Sequence, residues 1–200
     1  MSSNKTFNFV NLERKELEDS FSKISIGYSF VYIEDRNKYL MLTGLNDLVK
    51  LLSKNEFKSN AQQEQTNVEA YIYDLETNKF NLLSTKGKIP KVCSFRKCIN
   101  IGTFVYCFGG LVITSKGEFK TLSDLYSFNL NTNEWNILAN KEDSPNDRID
   151  FTFDKIINMG IIYGGISLPK EQYFDDLWLF KTKEDGNWTR FETNVRIFLK

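Results

Sequence analysis

The chain has 200 residues, with 26 Lys+Arg, 26 Asp+Glu and no histidine. A formal charge of zero leaves no net field to hold a nucleic-acid backbone or an anionic membrane against salt. The lack of imidazole removes the usual general base near neutral pH, the Ser/His and Cys/His nucleophile pairs, and most zinc, copper and non-haem iron sites.

Residues 6–10, Thr-Phe-Asn-Phe-Val, alternate like a lone strand, and 12–21 carry Glu and Lys three or four apart, as a short helix does. Residues 1–23 are therefore expected to form an N-terminal strand and short helix, the strand lying at the outer edge of a neighbouring unit. Residues 28–32 and 39–42 follow as a hairpin around 34–38, ending in Thr43-Gly44. An insertion at 45–68 starts apolar at near-helical spacing (Leu48, Val49, Leu51, Leu52) and finishes rich in Lys, Asn, Gln and Ser, so a helical turn and a mobile loop are expected there. Glu69-Ala70-Tyr71 and Phe80, with Asn78 in the turn between them, complete a first unit over 24–85.

A second unit spans 86–141. Residues 98–101 meet 104–108 through the tight turn Gly102-Thr103, and 104–108 closes in Gly109-Gly110. Asp124-Leu125-Tyr126 opens a strand over 125–130, and Asn131-Thr132-Asn133-Glu134 supplies residues that tolerate left-handed backbone before Trp135 opens the return strand. A third unit, 142–192, repeats this plan: strands at 151–157, 160–163, 177–180 and 188–191, the pair Gly164-Gly165, the run Asp176-Leu177-Trp178, and Trp188. Residues 195–199 alternate again, so 193–200 is read as the start of a further strand.

The copies are in step. Gly109 to Gly164 is 55 positions, Pro90 to Pro145 is 55, and Trp135 to Trp188 is 53. A period of that size marks stacked supersecondary units, each unable to bury its apolar faces alone.

The pattern of a diglycine closing the second strand, Asp-Leu-Tyr or Asp-Leu-Trp opening the third and Trp opening the fourth resembles kelch repeats. It is carried by Gly109, Gly110, Asp124, Leu125, Tyr126 and Trp135, and again by Gly164, Gly165, Asp176, Leu177, Trp178 and Trp188. The resemblance extends over 24–191, and is weakest in the first unit, where Thr43-Gly44 and Phe80 replace the diglycine and the Trp. A Pro-x-x-Arg that leads a unit survives at Pro145-Asn146-Asp147-Arg148 and becomes Pro90-Lys91-Val92-Cys93 earlier. The family's histidine in the first strand is replaced by Tyr28, Arg96 and Phe151. The resemblance implies an all-β fold of four-stranded β-propeller blades, with glycines where backbone crowds near the axis and Trp135 and Trp188 between blades. Three blades do not close a propeller, which takes roughly four to eight. The implied arrangement is therefore a partial propeller completed by self-association, by a partner chain, or by further sequence.

Other chemistry is poorly supported. Cys93, Cys98 and Cys107 are three in number, fit no zinc spacing and lack a fourth ligand, so they read as free thiols of a reducing compartment. Asp124, Asp175 and Asp176 stand at the head of third strands, where carboxylates cap turns. The glycine pairs are not followed by Lys-Ser/Thr or a helix and are no phosphate loop. The abundant aromatics fall at sheet spacing and read as blade core rather than as a platform for nucleic acid. No run reaches the roughly 18–20 apolar residues of a membrane span, and residues 1–11 lack a secretory apolar stretch, so a soluble cytoplasmic protein is expected. No cofactor, metal or catalytic residue is expected. The resemblance implies a non-enzymatic interaction or scaffold module with protein partners, including cytoskeletal ones. It also admits the kelch region of an enzyme: an oxidase-like, sugar-isomerising or phosphatase-associated one. Recognition residues tend to sit on loops held by a rigid frame, and the candidates are Phe57 in the insertion, Lys116, Phe119 and Lys120 between 111 and 122, and Tyr173 and Phe174 between 166 and 174.

Overall fold

The computed structural model of the chain describes residues 27–45, 67–114, 116–138, 143–168, 170–182 and 187–191. The expected N-terminal strand and helix, Phe57 with most of the 45–68 insertion, and the strand beginning at 193 lie outside the described residues. Among those residues there is no α-helix. The chain is all-β, built as three propeller blades in chain order.

Blade 1 holds β1 (Ser29–Ile33), β2 (Lys38–Leu42), β3 (Ala70–Asp74) and β4 (Lys79–Leu82) as an antiparallel meander. Its turns use left-handed asparagines, Asn37 at φ 51° and Asn78 at φ 54°, residues whose short polar side chains tolerate that region. Asp74 Oδ1 also accepts from the backbone N–H groups of Glu76 and Thr77. Asn129 does the same for Asn131 and Thr132 in the matching turn of blade 2, where Asn133 again has φ 54°. The insertion leaves and rejoins the blade at buried residues, Leu45 and Val68.

Blade 2 contains β6 (Lys97–Ile101), β7 (Phe104–Phe108), β10 (Leu125–Asn129) and β11 (Glu134–Leu138). Its sheet has a fifth strand that the four-strand reading missed: β5 (Lys86–Gly87) runs parallel to β11 at the outer edge. The segment leaving blade 1 therefore clasps blade 2, with Lys88 N–H donating to Trp135 O at 2.7 Å. Blade 3 holds β12 (Thr152–Ile156), β13 (Met159–Tyr163), β16 (Leu177–Lys181) and β17 (Asn187–Phe191). Its first strand stops at Ile156, short of the expected 157. Ile157 turns left-handed at φ 57° and is 82% exposed, in the place that Asn37 and Gly102 take in the other blades.

Two more hairpins stand where irregular loops were expected between second and third strands. They are β8 (Leu111–Ile113) with β9 (Phe119–Thr121), and β14 (Ile166–Ser167) with β15 (Gln172–Tyr173). The segments leading into blades 2 and 3 pair with the strands that follow their glycine pairs, through Ser94 with Leu111 and Ile149 with Ile166.

The apolar core lies between blades rather than within them. Val31, Ile33, Leu40, Leu42 and Ala70 of blade 1 pack on Val105, Cys107, Phe128 and Trp135 of blade 2. On the other side, Ile99, Ile101, Tyr106, Phe108 and Leu125 meet Phe153, Ile162, Trp178, Phe180 and Trp188 of blade 3. Trp135 is fully buried against Phe128 at 4.6 Å between ring centroids, and Trp188 lies 5.5 Å from Phe108.

Strand register assigns each blade two faces. Blade 2 has both covered. Blade 1 leaves one face open among the described residues, with Tyr32, Tyr39, Tyr73 and Phe80 in one cross-strand row and Phe30, Met41, Tyr71 and Leu82 in the next. Its rings touch in sequence: Tyr28 to Phe30 at 5.8 Å, Phe30 to Tyr39 at 5.6 Å, Tyr73 to Phe80 at 4.6 Å. Among the described residues blade 3 leaves open the opposite kind of face, which carries Ile156, Met159, Ile161, Tyr163, Leu177, Leu179 and Phe191.

Candidate functional site

The second strands of blades 2 and 3 end in glycine pairs, and the projecting hairpins and the lead-in segments gather at the same end of the blades. The glycines explain how so much backbone fits there. All four have positive φ, between 68° and 116°. A Cβ on Gly109 would stand 2.7 Å from Arg148 O of the next blade's lead-in, and one on Gly110 would stand 2.7 Å from Cys93 Sγ of its own. Gly165 is crowded by Ile149 O at 2.8 Å, whereas Gly164 meets nothing closer than 3.5 Å and is required for its φ alone. The crowding at Gly109, Gly110 and Gly165 comes from the lead-in segments and from the Phe151 side chain that follows one of them.

Arg148, fourth residue of the Pro145 motif, is fully buried beneath this end. Its guanidinium grips Asp176 through both nitrogens, Nη1 to Oδ1 at 2.6 Å and Nη2 to Oδ2 at 3.0 Å, and Nη1 also donates to Gly164 O at 2.8 Å. Phe174 stacks on it at 4.1 Å, and Trp178 Nε1 donates to Asp176 Oδ2 at 2.8 Å. Asp176 is therefore the partner in a buried ion pair and not a turn cap. Blade 2 has Cys93 and Asp124 in the corresponding places and cannot form this pair.

Asp147, the neighbour of Arg148, ties the two hairpins together. Its Oδ2 accepts from Thr121 Oγ1 of β9 and from Ser167 Oγ of β14 at 2.7 Å, while Lys170 Nζ lies 3.4 Å from Oδ1. Burial pushes the Asp147 carboxyl up, but the bonds from Thr121 and Ser167 and the Lys170 charge outweigh it and hold it below the ordinary carboxylate range. Above this clamp opens a cleft of about 470 Å³, walled by Thr114, Phe119, Lys120, Ser123, Asp124 and Lys170.

Of the predicted recognition residues, Phe119 and Lys120 line the cleft, and Lys116 is exposed at the β8–β9 tip. Tyr173 projects from β15 with 80% of its surface exposed, while Phe174 is occupied by Arg148. Leu125, Trp135, Trp178 and Trp188 are buried in the joints, Tyr126 is half-buried, and Leu177 lies on the open face of blade 3. Asp147 and Ser167 were not singled out from sequence, although Asp147 sits inside the Pro-x-x-Arg motif. Among the described residues no group of three His, Cys, Asp or Glu side chains is placed to hold a metal ion, and Cys93, Cys98 and Cys107 are free thiols.

Burial also pushes the Asp176 carboxyl up, but the bonds from Arg148 and Trp178 and the guanidinium charge bring it below the ordinary value. A depressed folded pKa contributes stability that is complete above the unfolded value of about 4 and is lost as pH falls through the folded one. Asp176→Asn, which leaves Arg148 buried without a counter-charge, is expected to cost about 3 kcal/mol at pH 7. Urea unfolding at pH 7 and pH 3 checks this: the gap to the parent should shrink at the lower pH, and a gap that is small at pH 7 or unchanged at pH 3 contradicts the assignment.

The family described as the KLHDC2/KLHL20/DRC7 Kelch-repeats domain matches residues 57–198, most of the 200-residue chain. The match takes in β3 and β4 of blade 1 and the whole of blades 2 and 3, while the β1–β2 hairpin that completes the first sheet lies before it. The diglycines, the Trp-centred joints and this match agree: the chain belongs to the kelch-repeat family.

Proposed function

We propose that this chain is a non-enzymatic scaffold module that holds a protein partner at the glycine end of blades 2 and 3. The observation that carries this reading is the cleft above the Asp147 clamp, lined by Phe119 and Lys120 of β9, by Asp124 and by Lys170 of the β14–β15 turn, with Lys116 and Tyr173 exposed on the same two hairpins outside it. A rigid frame bearing short projecting hairpins of different length and composition is how recognition residues are usually presented. Free thiols among the described residues fit a reducing, cytoplasmic compartment, and the cytoskeletal class of partner rests on the family resemblance alone. A photo-crosslinking side chain placed at Tyr173 in the full chain should capture a protein from a cell extract, while the same group at Lys79, exposed on β4 away from the hairpins, should not. Equal capture at the two positions, or none at Tyr173, overturns the reading.

A second reading, favoured by the two open faces, is that two copies of the chain pair. Within the chain one kind of face always packs on the other kind in the next blade, and the faces left open on blades 1 and 3 are one of each. Blade 3 of one copy therefore meets blade 1 of another, and a twofold arrangement closes six blades, within the range that propellers adopt. Size-exclusion chromatography with light scattering should return a dimer that Phe30→Asp or Phe80→Asp splits into folded monomers. A parent chain that stays monomeric at every concentration refutes the pairing.

A further inference from the structure

Cys98 and Cys107 are directly opposed in the register of β6 and β7. Directly opposed residues on antiparallel strands have Cα atoms about 4.5–5.5 Å apart, inside the window of roughly 4.4–6.8 Å that a disulfide requires. The two sulfurs are already 2.8 Å apart, in an S–H···S contact. Cys107 is fully buried in the joint with blade 1, whereas Cys98 is half-buried at its border.

A second, independent feature lies beside them. Arg96 is 5% exposed, its charge acts on Cys93, Cys98 and Cys107, and its Nε has no hydrogen-bond partner among the described residues. A buried guanidinium with a spare donor is placed to pair with negative charge that develops on a sulfur during reaction. Cys93 is also buried near this cluster, yet it lies on the lead-in segment against Gly110 and opposes neither of the other two cysteines in a strand ladder.

We propose that Cys98 and Cys107 form a reversible oxidation site, a dithiol that a peroxide converts to a cross-strand disulfide within blade 2. The Cys98 thiolate attacks one oxygen of hydrogen peroxide. The O–O bond breaks, and after protonation of the leaving hydroxide the products are Cys98 sulfenic acid and water. Cys107 sulfur then attacks the sulfenic sulfur, forming the S–S bond as the S–O bond breaks, and its own proton leaves with the hydroxide as a second water. Two electrons pass from the sulfur pair to the peroxide, and a small-molecule dithiol reverses the step. Cys98 reacts first because it is the more accessible sulfur, while burial pushes the Cys107 thiol up and keeps it protonated until the sulfenic acid stands beside it.

The test uses the full chain and the positions of its basic residues. Tryptic cleavage after Lys97 and Lys116 leaves both cysteines on one peptide, and cleavage after Lys91 and Arg96 puts Cys93 on another. After brief treatment with hydrogen peroxide and alkylation in denaturant, the 98–116 peptide should lack two hydrogens and take no alkylating group. The 92–96 peptide should be fully alkylated, and dithiothreitol should restore alkylation of the first. In Cys107→Ser, Cys98 should remain as a sulfenic acid that dimedone traps, and Cys93→Ser should leave the crosslink intact. A 98–116 peptide that is still alkylated twice, a disulfide that includes Cys93, or one that joins two chains overturns the proposal.

Discussion

The structure depends on the joint between blades. A four-stranded sheet has two faces, and here both are apolar over most of their area, so no blade can bury itself. Blade 2 shows the solution complete: Cys107, Phe128 and Trp135 are shut in by blade 1, and Phe108 and Leu125 by blade 3. An indole at the start of the fourth strand suits that place, because a ring can remove roughly 150–250 Å² from water in one rigid piece. It also stacks on the aromatic residue across the ladder, Phe128 for Trp135 and Phe180 for Trp188. Among the described residues blades 1 and 3 show the same solution half made, each with one apolar face that no described residue covers.

The two ends of the blades obey different constraints. At one end the strands are joined by short turns that need only a left-handed residue, supplied by Asn37, Gly102, Ile157, Asn78 and Asn133. At the other end a second strand, a hairpin and two lead-in segments crowd together, and the glycine pairs make room for them. Crowding then demands polar satisfaction. The Arg148–Asp176 pair meets that demand with buried side-chain hydrogen bonds and the Asp147 clamp with partly buried ones. The consequence is a base tied by side-chain hydrogen bonds, with two hairpins of different length and composition projecting above it.

Much of this was legible in the sequence. Alternation and the turn residues located the main strands to within a residue or two. Other features were not legible, for identifiable reasons. The β5 strand is two residues long and leaves no periodic pattern, and its parallel pairing with β11 depends on where the chain passes after blade 1. The β8–β9 and β14–β15 hairpins are too short for alternation to be distinguished from loop composition. Asp176 resembled a turn residue because its local context is a strand head, and only the tertiary fold brings it to Arg148, 28 positions away.

The account rests on burial in the joint rather than on the repeat pattern as such, and one comparison separates the two. Trp135 and Phe80 hold the same place in the repeat, but Trp135 is sealed between blades 1 and 2, while Phe80 is half-buried on the open face of blade 1. Urea unfolding at low protein concentration of Trp135→Ala and Phe80→Ala, each against the parent chain, therefore tests it directly. The account predicts a loss of about 3–5 kcal/mol for Trp135→Ala and about 1 kcal/mol for Phe80→Ala. Equal losses at the two positions, or a negligible one at Trp135, would contradict it.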